Sequence, residues 1–186
     1  MRILHLTQKD YKTSAWSGGT TTELFIWPQG ADYAKREFAF RISSAVVELE
    51  ESDFTPLMGV ERWITPLAGG FTLTHPGKAP VVMGPLSEPY RFSGEEATHC
   101  VGRATDFNLM LKGVTGEMTL CRKAAPVKPG FNCYYAPEAT CLKLDRVYSL
   151  AAGDLLVVFS RENAAVELAD EPVLACHVKP EDGKTL

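Results

Sequence analysis

The strongest pattern in the chain is a strict alternation over residues 37–49. Phe38, Phe40 and Ile42 fall on one side of an extended strand, and Ala39, Arg41, Ser43 and Ala45 on the other. One face is bulky and apolar and must be buried. The other carries a fixed cation and a hydroxyl among small residues, which leaves room beside the guanidinium for an anion. A second two-faced strand runs over residues 105–112, with Phe107, Leu109 and Leu111 against Asp106, Asn108 and Met110.

The rest of the chain repeats the theme in shorter pieces. Residues 1–15 read as an edge strand and a loop. Gly18-Gly19 then permits a close backbone approach, and residues 20–27 form a β-branched and aromatic strand with Thr21, Glu23 and Phe25 on a common side. Short strands are predicted over 62–67, 71–75, 81–86 and 117–123, separated by Gly69-Gly70 and Pro76-Gly77-Lys78 turns. Residues 126–137 read as loop. A near-continuous apolar strand follows the Gly153-Asp154 turn, and residues 173–178 close the sheet. Only residues 162–168 offer a helical turn or two. The expectation is all-β, a β-barrel or sandwich. A faint echo between Gly94-Glu95 and Gly153-Asp154 suggests two stacked β-barrel halves, residues 1–105 and 106–186, in one compact unit.

Composition narrows the function classes. The 186 residues are 45% hydrophobic, enough for a substantial core, and the net charge of −4 argues against nucleic acid or an anionic membrane as the partner. No apolar run is long enough for a transmembrane helix, and the N-terminal apolar stretch breaks too early for a signal peptide, so a cytoplasmic protein is expected. Five cysteines, with no Cys-x-x-Cys pair, are expected to be reduced. The four histidines His5, His75, His99 and His177 lack ligand spacing, so no metal and no cofactor is expected. Neither a Walker loop nor a Gly-x-Ser-x-Gly elbow occurs.

What remains is a polar set on strand-like segments: Arg41, Ser43, Arg62, Asp106 and Asn108. Two cations beside an Asp/Asn pair suit a small ligand with a carboxylate at one end and donors at the other. A surface position or a structural Arg41–Asp106 ion pair is the plainer reading of each residue alone.

Five segments also resemble the HutD/Ves family: Trp16-Ser-Gly-Gly-Thr-Thr-Thr-Glu23, Phe40-Arg-Ile-Ser-Ser-Ala45, Phe54-Thr-Pro-Leu-Met-Gly-Val-Glu-Arg62, Leu67-Ala-Gly-Gly70 and Asp106-Phe-Asn-Leu-Met110. They cover roughly residues 15–160. The resemblance implies a metal-free, cupin-type β-barrel or sandwich, bicupin-like with two stacked halves, and a pocket near Trp16, Arg41, Arg62 and Asp106. By its own chemistry the Gly18-Gly19-Thr20 turn can offer backbone N–H groups and a hydroxyl to a ligand, and with Glu23 it joins the candidate ligand-binding residues. The turn Trp16-Ser-Gly-Gly is shorter than the Trp-x-Asn-Gly-Gly-Gly of many members, which bears on ligand preference. A role in regulating histidine or urocanate breakdown is proposed for some members. Three readings follow: a regulatory protein binding a small carboxylate metabolite; a metal-free isomerase or lyase with Asp106 or Glu23 as base and Arg41 or Arg62 holding negative charge; and an interaction protein without a pocket. A second copy of the chain, forming a homodimer, is retained as a further partner.

Overall fold

A computed structural model of the chain describes residues 1–169 and 171–179. The strands among them are, in order, β1 (Arg2–Leu6), β2 (Lys12–Trp16), β3 (Gly19–Trp27), β4 (Phe40–Val47), β5 (Glu51–Asp53), β6 (Val60–Gly69), β7 (Phe71–Thr74), β8 (Val81–Met83), β9 (Tyr90–Ser93), β10 (His99–Val101) and β11 (Ala104–Lys112). They continue as β12 (Thr115–Cys121), β13 (Ala124–Val127), β14 (Gly130–Tyr135), β15 (Thr140–Lys143), β16 (Val147–Leu150), β17 (Leu155–Ser160), β18 (Ala164–Leu168) and β19 (Val173–Lys179). A single 3-10 turn, Gln8–Asp10, follows β1. The fold is all-β, as the alternation predicts, with open sheets packed sandwich-like rather than closed barrels.

The chain divides into two compact units. One comprises residues 12–113; the other combines residues 1–11 with the chain from residue 114 onward. Residues 106–112, expected to open the second half, belong instead to a strand inside the first unit. There β11 pairs with both β4 and β6, so cutting at 105 would break both ladders. In the other unit β1 pairs with β17 over five residues, which carries the N-terminal segment to the far end of the sequence.

The 12–113 unit has a six-stranded sheet, β2-β3-β4-β11-β6-β9, and a four-stranded sheet, β5-β10-β7-β8. Ile64, Phe71, Leu73, Met83, Phe92 and Cys100 form an apolar cluster drawn from both sheets. Burial of each large apolar side chain contributes roughly 1.5–3 kcal/mol. The second unit has sheets β1-β17-β14-β19-β12 and β13-β18-β15-β16, with a larger cluster that includes Tyr134, Leu142, Leu156, Val158 and Val166.

Three local expectations change. Residues 126–137 are largely strand. β14 is a central strand of its sheet, between β17 and β19, and every one of its residues is buried; a strand covered on both faces has no alternation to read. Residues 162–168 contain β18 rather than a helical turn, and Val166 is the only fully buried residue in it, flanked by exposed Ala165 and Glu167. That is a period of two. Finally, Glu23 and Phe25 do not share a side. Glu23 stands opposite Ser43 and Phe25 opposite Ile42, so Leu24 is an extra residue on β3. The bulge inverts the alternation, and directly opposed residues point to the same face. Glu23 therefore joins the polar face of β4, while Phe25 packs on Phe40 at 5.5 Å between ring centroids.

Candidate functional site

The register of the central strands assembles the site. Asn108 lies opposite Ser43, Met110 opposite Arg41 on one side and Arg62 on the other, and Asp106 opposite Ala45. Pleating then places Arg41, Ser43, Arg62, Asp106 and Asn108 on one face of the sheet. All five line one cavity of about 510 Å³ within the 12–113 unit. All five are buried as well. Trp16 also lines the cavity and is exposed. Gly18, Gly19, Thr20 and Glu23 are outside its wall. Gly19 serves the backbone instead. Its φ is +149°, and a Cβ there would lie 1.9 Å from the Val46 carbonyl oxygen. Glu23 acts on the cavity indirectly, through Arg41.

The two arginines are held differently. Arg41 Nε donates to Glu23 Oε2 at 2.7 Å, and Nη1 donates to the Ser43 hydroxyl at 3.2 Å. Its guanidinium carbon lies 4.1 Å from the centre of the Tyr33 ring. The Arg41–Asp106 pair envisaged from the sequence does not form; the β3 bulge delivers Glu23 instead. Arg62 has no carboxylate within ion-pair distance among the described residues. Its Nη2 donates to Asn108 Oδ1 at 3.0 Å, and its Nε is buried without a hydrogen-bond partner. The Phe54 ring lies 4.6 Å away and the Phe92 ring 5.2 Å.

Asp106 connects to Arg62 only through Asn108, whose Nδ2 donates to Asp106 Oδ1 at 2.6 Å. The Ala45 backbone N–H donates to the same oxygen at 3.2 Å. Burial pushes the Asp106 carboxyl up to about 6, against the opposing pull of the Arg62 charge and these two hydrogen bonds. Burial likewise lowers Arg62 from the usual guanidinium range, and Asp106 counters it. The two charges feel one another without touching.

Sequence reasoning missed one wall. Tyr33 and Arg36 come from the segment between β3 and β4, read only as loop, and both line the cavity. Arg36 donates to the Tyr33 carbonyl at 2.8 Å and stacks on the same ring at 4.3 Å, so two guanidinium groups share one phenol. Phe38 pins this segment into a cluster with Leu57, Val60 and Met110. The only sequence signal was an aromatic three residues before an arginine.

The HutD family model matches residues 8–176. The chain belongs to the HutD family. Among solved structures, HutD from Pseudomonas fluorescens SBW25, determined in a formate condition, superposes with a TM-score of 0.80 at 21% identity, covering 96% of this chain and 100% of that one. The conserved protein of unknown function PA5104 from Pseudomonas aeruginosa PAO1 gives 0.80 at 23% identity, with 96% and 98% covered. The bacterial pirin YhhW from Escherichia coli, in complex with nickel(II), gives 0.66 at 13% identity, with 96% and 100% covered, and shares the cupin-type fold alone. No curated protein matches the chain.

The described residues offer no ligand set for a metal of the kind bound by that pirin. Among the described residues no three His, Cys, Asp or Glu side chains converge. His5 is engaged by Asp154, His99 by Asp53, and His177 by the Pro129 carbonyl. His75 is buried beside Phe92 and Tyr90. No helix among the described residues is long and apolar enough to cross a membrane.

Proposed function

We propose that this HutD-family protein binds a small carboxylate-bearing metabolite in the cavity of its 12–113 unit, and does so without a metal, as a regulator of amino-acid catabolism. One observation carries the reading. Arg62 is a buried cation whose side-chain hydrogen-bond partner, Asn108, is neutral and whose Nε has no partner. A buried guanidinium left in that state is costly, and a carboxylate accepting two parallel N–H bonds would relieve it. Asn108 and Ser43 can orient the remaining polar groups of the ligand, while Tyr33, Phe54 and Met110 supply apolar wall. Formate, named in the condition of the Pseudomonas fluorescens relative, belongs to this ligand class.

A thermal-shift and calorimetric screen of mono- and dicarboxylates, including formate, urocanate and glutamate, with and without chelator, tests this. Wild-type protein should bind at least one, unaffected by chelator. Arg62→Met should weaken that binding by about 10–100-fold, the worth of a charge-assisted hydrogen bond. Equal affinity in the variant would sink the reading.

A second reading has its own observation. Asp106 lines the cavity with its carboxyl poised near neutrality, the condition for a general base in a lyase or isomerase. Glu23 is ill placed for that role, being held by Arg41. Deuterium incorporation into a bound carboxylate, lost in Asp106→Asn, would favour catalysis over simple binding.

A further inference from the structure

We propose that the cavity takes up its anion together with one proton from solvent, carried by the Asp106 carboxyl. The inference rests on the carboxylate-binding reading and concerns how that same site is controlled. Charge balance decides it. Glu23 neutralises Arg41 by direct contact at 2.7 Å. Asp53 is exposed on the cavity wall and is engaged by His99 at 2.8 Å. Arg36 is a further cation on the cavity wall, but it is only half-buried, on the Tyr33 ring and carbonyl, so solvent screens its charge from the buried groups. That leaves Arg62 and Asp106, both buried, balancing one another across Asn108.

An anion docking on Arg62 converts this neutral pair into a buried excess of one negative charge. Two carboxylates held close together beside one buried guanidinium do not both stay ionised. The groups facing Asp106 decide where the proton goes. Arg62 from β6 and Cys100 from β10 interact with Asp106, and Arg41 from β4 and Tyr33 from the loop line the same cavity. The Cys100 thiol is already protonated, burial pushing its pKa up to about 11. Asp106 is the group with a free site to protonate: its Oδ1 takes both neutral donors, so Oδ2 can hold a proton without breaking either bond. The free carboxyl titrates near 6, so at neutral pH the proton must be taken up on binding rather than before it.

Formate is the probe, since its own carboxyl titrates well below the window. Its affinity, followed by NMR of the Arg62 side chain, should weaken close to tenfold per pH unit from about pH 6 to about pH 8. Calorimetry in two buffers of different ionisation enthalpy should report uptake approaching one proton per formate. Asp106→Asn should bind formate with nearly pH-independent affinity over this range. Saturable formate binding by wild type with no proton uptake and a flat pH profile would overturn the inference while leaving the carboxylate site intact. A slope that persists in Asp106→Asn would overturn it too, by placing the proton elsewhere. Absence of saturable formate binding at every pH would remove both the site and its proton. If that variant fails to fold, the Asp106 carboxyl of wild type, followed by carboxyl 13C NMR, should move from titrating near 6 to protonated at pH 7 when formate saturates the site, and an ionised Asp106 in the complex would overturn the inference.

Discussion

The ion pair between Arg41 and Glu23 offers the sharpest test of how the cavity is organised. Glu23→Gln removes the charge while keeping the shape. The Arg41 side chain is 6% exposed and that of Glu23 20%. Removing the carboxylate leaves a buried guanidinium with Ser43 at 3.2 Å and the Tyr33 ring at 4.1 Å. Breaking a fully buried pair costs about 3–5 kcal/mol. Glu23 is part-exposed and the site borders a cavity, so about 2–3 kcal/mol is expected here. Arg41→Met should cost less, about 1–2 kcal/mol, because Glu23 can be rehydrated. The double variant should cost about 2–3 kcal/mol, giving a coupling energy of about 1–2 kcal/mol. The assay is urea unfolding, with unchanged m-values required before the free energies are compared. The matching cycle between Arg41 and Asp106 should be additive to within about 0.5 kcal/mol. Additivity for Arg41/Glu23, or strong coupling for Arg41/Asp106, would refute the bulge-directed pairing.

Other outcomes follow from the same groups. Asp106 is an acid raised in the fold to about 6, so its ionised form is disfavoured there. Its penalty is absent below the unfolded value of about 4, grows as pH rises to about 6, and is complete above that. Asp106→Asn should therefore be more stable than wild type at pH 8, by about 1–3 kcal/mol, and lose the advantage by about pH 4; a constant difference across pH would contradict this. Gly19→Ala should destabilise by about 3 kcal/mol or more, since the new Cβ meets the Val46 carbonyl, and near-wild-type melting would show that the strand edge yields. All five cysteines are free thiols. Ellman's reagent should find five after denaturation without reductant, while in the native protein Cys121 and Cys141 should react ahead of buried Cys100, Cys133 and Cys176; fewer than four thiols would show cross-linking.

Much of this was legible in the sequence because strand pleating is a local rule. Arg41 and Ser43 had to lie on the face opposite Phe40 and Ile42, and Asp106 and Asn108 opposite Phe107 and Leu109, wherever those strands paired. The all-β class followed from the same alternation, and the absence of histidine ligand spacing was equally plain. Pairing partners are not local. The shared cavity depends on β11 lying between β4 and β6, and the choice of Glu23 over Asp106 for Arg41 depends on one extra residue, Leu24, in β3. A bulge has no dedicated residue type here, so counting by twos placed Glu23 with Phe25. Long-range closure was hidden too: β1 pairs with β17 across most of the chain, and β14 is a central strand whose two covered faces leave no alternation. Tyr33 and Arg36 reached the cavity because Phe38 anchors their loop among Leu57, Val60 and Met110. Sequence determined which side chains share a face of each strand, since that is set by backbone geometry. Tertiary structure decided which charges meet, since that is set by register and by contacts between residues far apart in the chain.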